Sequence, residues 1–151
     1  MEVALFVGLQ AAGKSTFYRT HLASTHGLVS KDAFRNNRRP QRRQMHLIEE
    51  ALREGRSVVV DNTNPTAEDR SPIIALADLR GAGVVGYFFE SNLADCLTRN
   101  RAREGKARVP DAAIRITLSR LQVPTSSEGF DRIFRVAIIP GGGFAVEEGK
   151  R

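Results

Sequence analysis

The residues with the most specific chemistry form a loop near the amino terminus. The segment GLQAAGKS, residues 8–15, matches the pattern G-x-x-x-x-G-K-[ST]. In such a loop the glycines let backbone amides surround phosphate, the lysine reaches the β and γ phosphates, and the serine hydroxyl can ligate Mg²⁺. The pattern predicts a nucleotide site that includes Gly8, Gln10, Ala11, Ala12, Gly13, Lys14, Ser15 and Thr16, with Ser15 as a metal ligand.

A second candidate group is the sequence DNTN, residues 61–64, which follows three valines. An aspartate directly after a buried parallel strand lies at the sheet edge where open α/β folds bind ligands. Asp61 is therefore predicted to hold magnesium, through a water molecule, or to orient the nucleophile. Asn62 and Asn64 are candidate substrate contacts, although for Asn64 a turn or capping role is the simpler interpretation.

Two segments are strongly basic. Residues 31–43, KDAFRNNRRPQRR, contain one carboxylate, Asp32, and five arginines. Residues 99–108, RNRAREGKAR, form the second cluster, in which Arg99 and Arg103 are four residues apart and so share one helical face. The net charge of +6 and the pI near 10.2 are consistent with an acidic partner such as a nucleotide or a nucleic acid.

The elements that would position these residues alternate between apolar strands and amphipathic helices. Strands are expected at 2–7, 57–60, 83–89 and 133–139, and helices at 14–26, about 41–54, 93–103 and 111–121. A further helix is expected to end at about Arg80, with its start either at Asn64 and Pro65 or at a capping box of Thr66 and Asp69. The glycines at 141–143 predict a turn into a candidate edge strand. This alternation predicts an α/β fold of the P-loop NTPase type, with a parallel sheet covered by helices on both faces.

The composition is that of a globular protein. With 151 residues, 41% of them hydrophobic, we expect one domain over 1–151 that buries about 70% of its unfolded surface. No apolar stretch approaches the roughly 20 residues that a membrane span needs, and the amino terminus lacks a secretion-signal pattern. The single Cys96 excludes an intrachain disulfide. We expect a soluble, cytoplasmic protein.

Three segments together resemble a known family: GLQAAGKST, DNTNP and the arginine-rich residues 99–108. They are similar to the kinase domain of polynucleotide 5′-hydroxyl kinases and to a group of short stand-alone P-loop kinases, from about Val3 to Ile133. The resemblance implies a D-x-x-R element after the second strand, which supplies a general base and an arginine for the substrate phosphate. Asp32 and Arg35 stand at that position.

The resemblance also implies a lid at about 99–112. It places Arg103 on the transferring phosphate. Arg99 is a weaker candidate for a nucleotide contact, and a solvated surface position is its alternative. The segment EGFD, residues 128–131, matches the family as well, and Phe130 is interpreted as a core residue. The loop residues Gln10, Ala11 and Ala12 depart from the proline, glycine or serine of many relatives, which is expected to alter the fine fit only.

The predicted activity is ATP- and Mg²⁺-dependent transfer of a γ-phosphate to a hydroxyl, with the 5′-hydroxyl of RNA or DNA as the favoured acceptor. The first alternative is a kinase for a nucleoside, sugar or antibiotic, and the second is a nucleotide-binding regulator without kinase activity. Arg38 and Arg39 are candidate substrate contacts that distinguish the first two, because a polynucleotide needs several phosphate contacts. The alternative roles are a solvated surface for the arginines and a helix cap for Asp32.

Overall fold

A six-stranded sheet forms the centre of the computed structural model, which describes residues 1–149. The strands are β1 (Glu2–Val7), β2 (Gly27–Val29), β3 (Val58–Val60), β4 (Gly83–Glu90), β5 (Arg132–Ile138) and β6 (Phe144–Glu148). Their order across the sheet is β2-β3-β1-β4-β5-β6. The first five strands are parallel and β6 is antiparallel to β5. This confirms the predicted α/β fold.

Within residues 1–149, five α-helices connect the strands. They are α1 (Lys14–Phe17), α2 (Pro40–Arg53), α3 (Ala67–Leu79), α4 (Leu93–Arg101) and α5 (Asp111–Arg120). Local sequence determines several of their ends: Pro40 occupies the start of α2, and Thr66 and Asp69 form a capping box at the start of α3. None of the helices within residues 1–149 is long and apolar enough to span a membrane.

The hydrophobic core lies on both faces of the sheet. In β1 the side chains of Val3, Leu5 and Val7 pack into one cluster, whereas those of Ala4 and Phe6 pack into the other. This alternation follows from the two-residue period of a strand. Both faces of β1 are covered, and its residues 3–7 are all apolar and buried, as expected for a central parallel strand. Phe130 is buried in the first cluster.

The segment after the phosphate loop differs from the prediction. The expected helix over 14–26 is α-helical only through α1 and continues as a π-helical turn, Tyr18–Leu22. Gly27 was predicted to end a helix, but it begins β2, a strand of three residues. Only Val29 of β2 is buried, so the strand lacks the apolar pattern that would reveal it in the sequence.

A buried ion pair joins α3 to the loop before β5. The side chain of Arg70 is 0% exposed, and it donates from Nε and Nη2 to the two carboxylate oxygens of Glu128, at 2.8 and 3.0 Å. Its Nη1 donates to the carbonyl oxygens of Asn64 and Gln122. Desolvation alone would raise the pKa of Glu128, but the hydrogen bonds from Arg70 and Thr125 outweigh it and hold that pKa below its ordinary value.

The substitution Glu128→Gln is expected to destabilise the protein by about 3–5 kcal/mol at neutral pH, because it leaves the buried guanidinium of Arg70 without its counter-charge. A carboxylate whose folded pKa is lowered stabilises the fold above its unfolded pKa, and this contribution is lost as the pH falls through the folded pKa. The difference between wild type and variant should therefore shrink at acidic pH below the ordinary glutamate range.

Urea denaturation at neutral and acidic pH measures this difference. Glu68→Gln, at an exposed position on α3, is the matched control and should have little effect at either pH. Equal losses for the two variants would show that the buried pair does not contribute in this way.

Candidate active site

The phosphate loop, residues 8–15, joins β1 to α1 at the carboxyl edge of the sheet. Gly13 has φ 93°, a left-handed conformation that favours glycine. At Gly8 the requirement is space, because a Cβ there would lie 2.9 Å from the Cβ of Phe89. The backbone conformation at Gly13 and the limited space at Gly8 therefore each require glycine.

Lys14 lies inside this loop. Its Nζ donates to the carbonyl oxygens of Gly8, at 2.8 Å, and Leu9, at 2.5 Å. Desolvation lowers the pKa of Lys14 to about 8, although the negative charge of Asp61 opposes the shift. Burial removes hydration from this ammonium group, and a bound phosphate would stabilise its positive charge instead. The loop is thus suited to an anionic ligand.

Asp61 faces the loop from the end of β3. The hydroxyl of Ser15 donates to its Oδ2 at 2.9 Å. Burial raises the pKa of Asp61, and the charge of Lys14 and the hydrogen bond from Ser15 oppose that shift. The hydroxyl and the carboxylate lie together next to a phosphate-binding loop, which is the oxygen donor set that Mg²⁺ takes alongside water and nucleotide phosphates.

Magnesium fits this donor set. Within residues 1–149 no group of three or more His, Cys, Asp or Glu side chains is placed to hold a metal ion. The protein ligands of such an ion would be Ser15 and Asp61 only, with the remaining positions filled by water and phosphate oxygens. An ion held there would neutralise charge on the β and γ phosphates.

Residues 31–43, which we call the basic arm, approach the same edge of the sheet. Asp32 lies in a 3₁₀ turn, Lys31–Phe34, and its backbone N–H donates to the hydroxyl of Ser30. Ser30 is therefore the cap, and the capping interpretation of Asp32 is wrong. The carboxylate of Asp32 is 79% exposed and lies 3.5 Å from the guanidinium of Arg35.

Asn62 tethers the basic arm to the DNTN segment. Its Oδ1 accepts from the backbone N–H of Lys31 at 2.9 Å, and its Nδ2 donates to Oε1 of Gln44 at 2.5 Å. Gln44 is buried on α2. Asn62 therefore positions the turn that carries Asp32.

Residues 99–112, the predicted lid, run from the end of α4 to the start of α5. Arg99 donates from Nε to the carbonyl oxygen of Ala11 in the phosphate loop, at 2.6 Å. Asn100 is fully buried and exchanges two hydrogen bonds with the backbone of Val109, at 2.7 and 3.0 Å. These bonds join the two ends of this segment. Arg103, which follows α4, donates to the carbonyl oxygen of Ala107 at 3.4 Å.

Charges on the basic arm and on residues 99–112 act on the two buried groups of the site. Burial is the main cause of the shifted pKa values of Lys14 and Asp61, but the charges of Asp32 and Arg103 also act on both values. The arm and lid also touch directly, since Nη1 of Arg35 donates to the carbonyl oxygen of Lys106 at 2.7 Å. A cavity of about 570 Å³ lies there, lined in part by Asp32, Phe34, Arg35, Asn37 and Lys106.

Other predicted site residues lie elsewhere. Asn64 is buried with φ 43°, and its side chain donates to the carbonyl oxygen of Phe6, so it fits the turn role and not substrate contact. Thr16 is exposed beside the loop, and Gln10 turns its amide towards Thr117 of α5. Arg38 and Arg39 line a separate cavity next to the one at Asp32.

Four buried polar residues within residues 1–149 were not predicted from the sequence: Gln44, Arg70, Asn100 and Thr117. Gln44 had a usable signal, because it lies on the face of α2 that carries Ile48 four residues later. Asn100 and Arg70 had none, since their partners lie in loops without a regular pattern.

The fold and the site together define a P-loop domain of the kinase type that binds nucleotides. A family model described as an AAA domain, AAA_33, matches residues 3–124, and the chain belongs to this family.

One similar protein is the bifunctional polynucleotide phosphatase/kinase of Schizosaccharomyces pombe, which is 28% identical over 139 residues. The match covers 89% of this chain and 33% of that protein, so the chain spans about a third of its relative's length.

Two solved structures share the fold. A fungal RNA kinase superposes with a TM-score of 0.71 at 14% identity, over 93% of this chain and 40% of that one. A gluconokinase from Sinorhizobium meliloti 1021 superposes with a TM-score of 0.65 at 19% identity, over 90% of this chain and 82% of that one.

Lys14→Ala is expected to weaken nucleotide binding about 10- to 100-fold, because a hydrogen bond to a charged group contributes about 1.5–3 kcal/mol. Titration calorimetry with a non-hydrolysable nucleotide triphosphate measures the loss. Arg115→Ala removes the same charge from an exposed position on α5 and is the control. Equal affinities for the Lys14 variant and this control would contradict the assignment of the loop.

Proposed function

We propose that this protein is an ATP- and magnesium-dependent kinase that transfers the γ-phosphate to a hydroxyl group, and that the acceptor is the 5′-hydroxyl of RNA or DNA. The observation that carries the proposal is the hydrogen bond from the backbone N–H of Lys31 to Oδ1 of Asn62, because it holds the turn that carries Asp32 next to Asp61. The bond from Arg99 to the carbonyl oxygen of Ala11 likewise holds the segment that carries Arg103 against the phosphate loop. A carboxylate for the acceptor proton and a cation for the γ-phosphate would thus lie near the bound phosphates.

Phosphoryl transfer requires mainly positioning and positive charge around the transferring group. Lys14 and the loop amides would hold the β and γ phosphates, and Arg103 would approach the γ-phosphate from the lid. Arg99 already bonds the loop at Ala11, so it fixes the lid against the donor side. Closing the lid over this site would exclude water that otherwise takes the phosphate.

Asp32 would act on the acceptor side. Its exposed carboxylate faces a cavity large enough for a nucleotide, at about 570 Å³. In the proposed step the acceptor oxygen forms a bond to the γ-phosphorus while the bond from that phosphorus to the β–γ bridging oxygen breaks. Asp32 takes the hydroxyl proton and ADP leaves. Arg35 lies 3.5 Å from Asp32, where it would bind a phosphate of the acceptor.

A polynucleotide acceptor is supported by the similarity to the Schizosaccharomyces pombe phosphatase/kinase and by the D-x-x-R element at Asp32 and Arg35. A small-molecule kinase is the second candidate, because this chain matches 82% of the length of the gluconokinase structure. A regulator without kinase activity is less well supported, since it would have no use for a carboxylate at Asp32.

A transfer assay with labelled ATP and Mg²⁺ tests the acceptor. The protein is offered a single-stranded oligonucleotide with a 5′-hydroxyl beside a panel of nucleosides and sugars. We expect label on the 5′ end of the oligonucleotide. Label on a small molecule, with none on the oligonucleotide, would replace the first candidate with the second.

Asp32→Asn is expected to lower kcat about 10²- to 10⁴-fold while leaving ATP affinity nearly intact, because the amide cannot accept the hydroxyl proton. Steady-state transfer and ATP titration measure the two quantities. Asp78→Asn, at an exposed position on α3, is the matched control and should keep full activity. Unchanged turnover in the Asp32 variant would remove this residue as the general base.

A further inference from the structure

Four arginines of the basic arm line a cleft of their own. Arg38, Arg39, Arg42 and Arg43, together with Asn37 and His46, surround a cavity of about 330 Å³. We call this the arginine cleft. It is separate from the phosphate loop, and no carboxylate lines it.

The four guanidinium groups have no counter-charge. Ten ion pairs form within residues 1–149, and none of them includes an arginine of the cleft. Of the nearest acids along α2, Glu49 pairs with Arg80, and Glu50 lies 3.8 Å from His46 at the edge of the cleft without pairing with any of its arginines. Four like charges on a concave surface repel one another and concentrate a positive field, which an anionic ligand relieves.

The helix backbone adds to this field. The cleft lies at the amino-terminal end of α2, a helix of 14 residues whose end no side chain caps. The positive end of the helix dipole therefore points into a region that already carries arginine. Arg39 and Arg43 are four residues apart, a spacing at which like charges destabilise a helix. Repulsion among these arginines does not stabilise the fold, whereas their combined positive charge suits the binding of several phosphates.

The cleft continues the proposed acceptor site. Asn37 lines both the arginine cleft and the cavity that contains Asp32 and Arg35. A ligand with its hydroxyl at Asp32 can therefore extend past Asn37 to the four arginines. A nucleoside or sugar would be accommodated in the first cavity alone and would not reach the cleft.

We propose that the arginine cleft binds the internucleotide phosphates that follow the 5′-terminal nucleotide of a single-stranded polynucleotide. The inference rests on the proposed function and adds the substrate class: chains are preferred to mononucleotides. Single strands fit because their backbone is flexible enough to enter a cleft of this volume and because their bases are free to stack on guanidinium planes. Phosphate contacts carry no base identity, so the preference is independent of sequence.

Length dependence tests the proposal. We expect kcat/KM to rise from a nucleoside 3′-monophosphate through single-stranded oligonucleotides of increasing length. The double variant Arg42→Gln and Arg43→Gln should raise KM for the longer oligonucleotides roughly tenfold and leave the mononucleotide unchanged. Arg53→Gln, an exposed arginine at the other end of α2, is the matched control. Length-independent kcat/KM, or equal effects of variant and control, would overturn the inference.

Direct binding separates this inference from the proposed function. Fluorescence anisotropy of a labelled oligonucleotide that already carries a 5′-phosphate requires no transfer. The double variant should bind it more weakly, with a salt slope smaller by about 1.4, since each single-strand phosphate contact contributes about 0.7. If the wild type transfers phosphate but the double variant binds the oligonucleotide as tightly as the wild type, the cleft alone is refuted. If the double variant loses binding as expected but the wild type transfers no phosphate, only the kinase activity is refuted. Equal competition by polyglutamate would refute a polynucleotide ligand.

Discussion

Parallel pairing of β1 with β3 is the constraint on which the site depends. The register places Leu5 opposite Val60, so the phosphate loop and Asp61 both emerge at the carboxyl edge of the sheet. The backbone N–H of Gly8 then donates to the carbonyl oxygen of Thr63 at 3.0 Å, which ties the two loops together. A slip in register by one residue would move the side chains of a strand to the opposite face, into the other core cluster, and would shift the two loops relative to each other.

The electrostatics of the site follow from that placement. Lys14 and Asp61 are buried at the edge, and burial shifts the pKa of each towards its neutral form. Their mutual attraction opposes both shifts, and a polyphosphate with a divalent cation would supply further charges of both signs. The charges of Asp32, on the basic arm, and of Arg103, after α4, also act on this pair. The hydrogen bond from Arg35 to the carbonyl oxygen of Lys106 joins the two segments. In the proposed reaction, donor and acceptor therefore share one site.

Local sequence patterns predicted those parts of the fold whose signal lies within a few neighbouring residues. The valines of β3, the glycines of the phosphate loop and the capping box at Thr66 each carry their signal within a few residues. The strand β2 carries too few buried residues to be seen. The pair of Arg70 with Glu128 joins positions 58 residues apart, and such contacts leave no local trace. Asp32 was predicted as the general base from the family resemblance, since no periodic sequence pattern marks an exposed aspartate.

In the proposed reaction the sheet edge holds donor and acceptor together for one direct, in-line transfer. The stereochemical course at the γ-phosphorus is the most direct test, with ATP made chiral there by oxygen isotopes and a 5′-hydroxyl oligonucleotide as acceptor. A single in-line displacement inverts the configuration at phosphorus, and inversion is therefore expected. Retention, which requires a phosphorylated side chain between donor and acceptor, would contradict it.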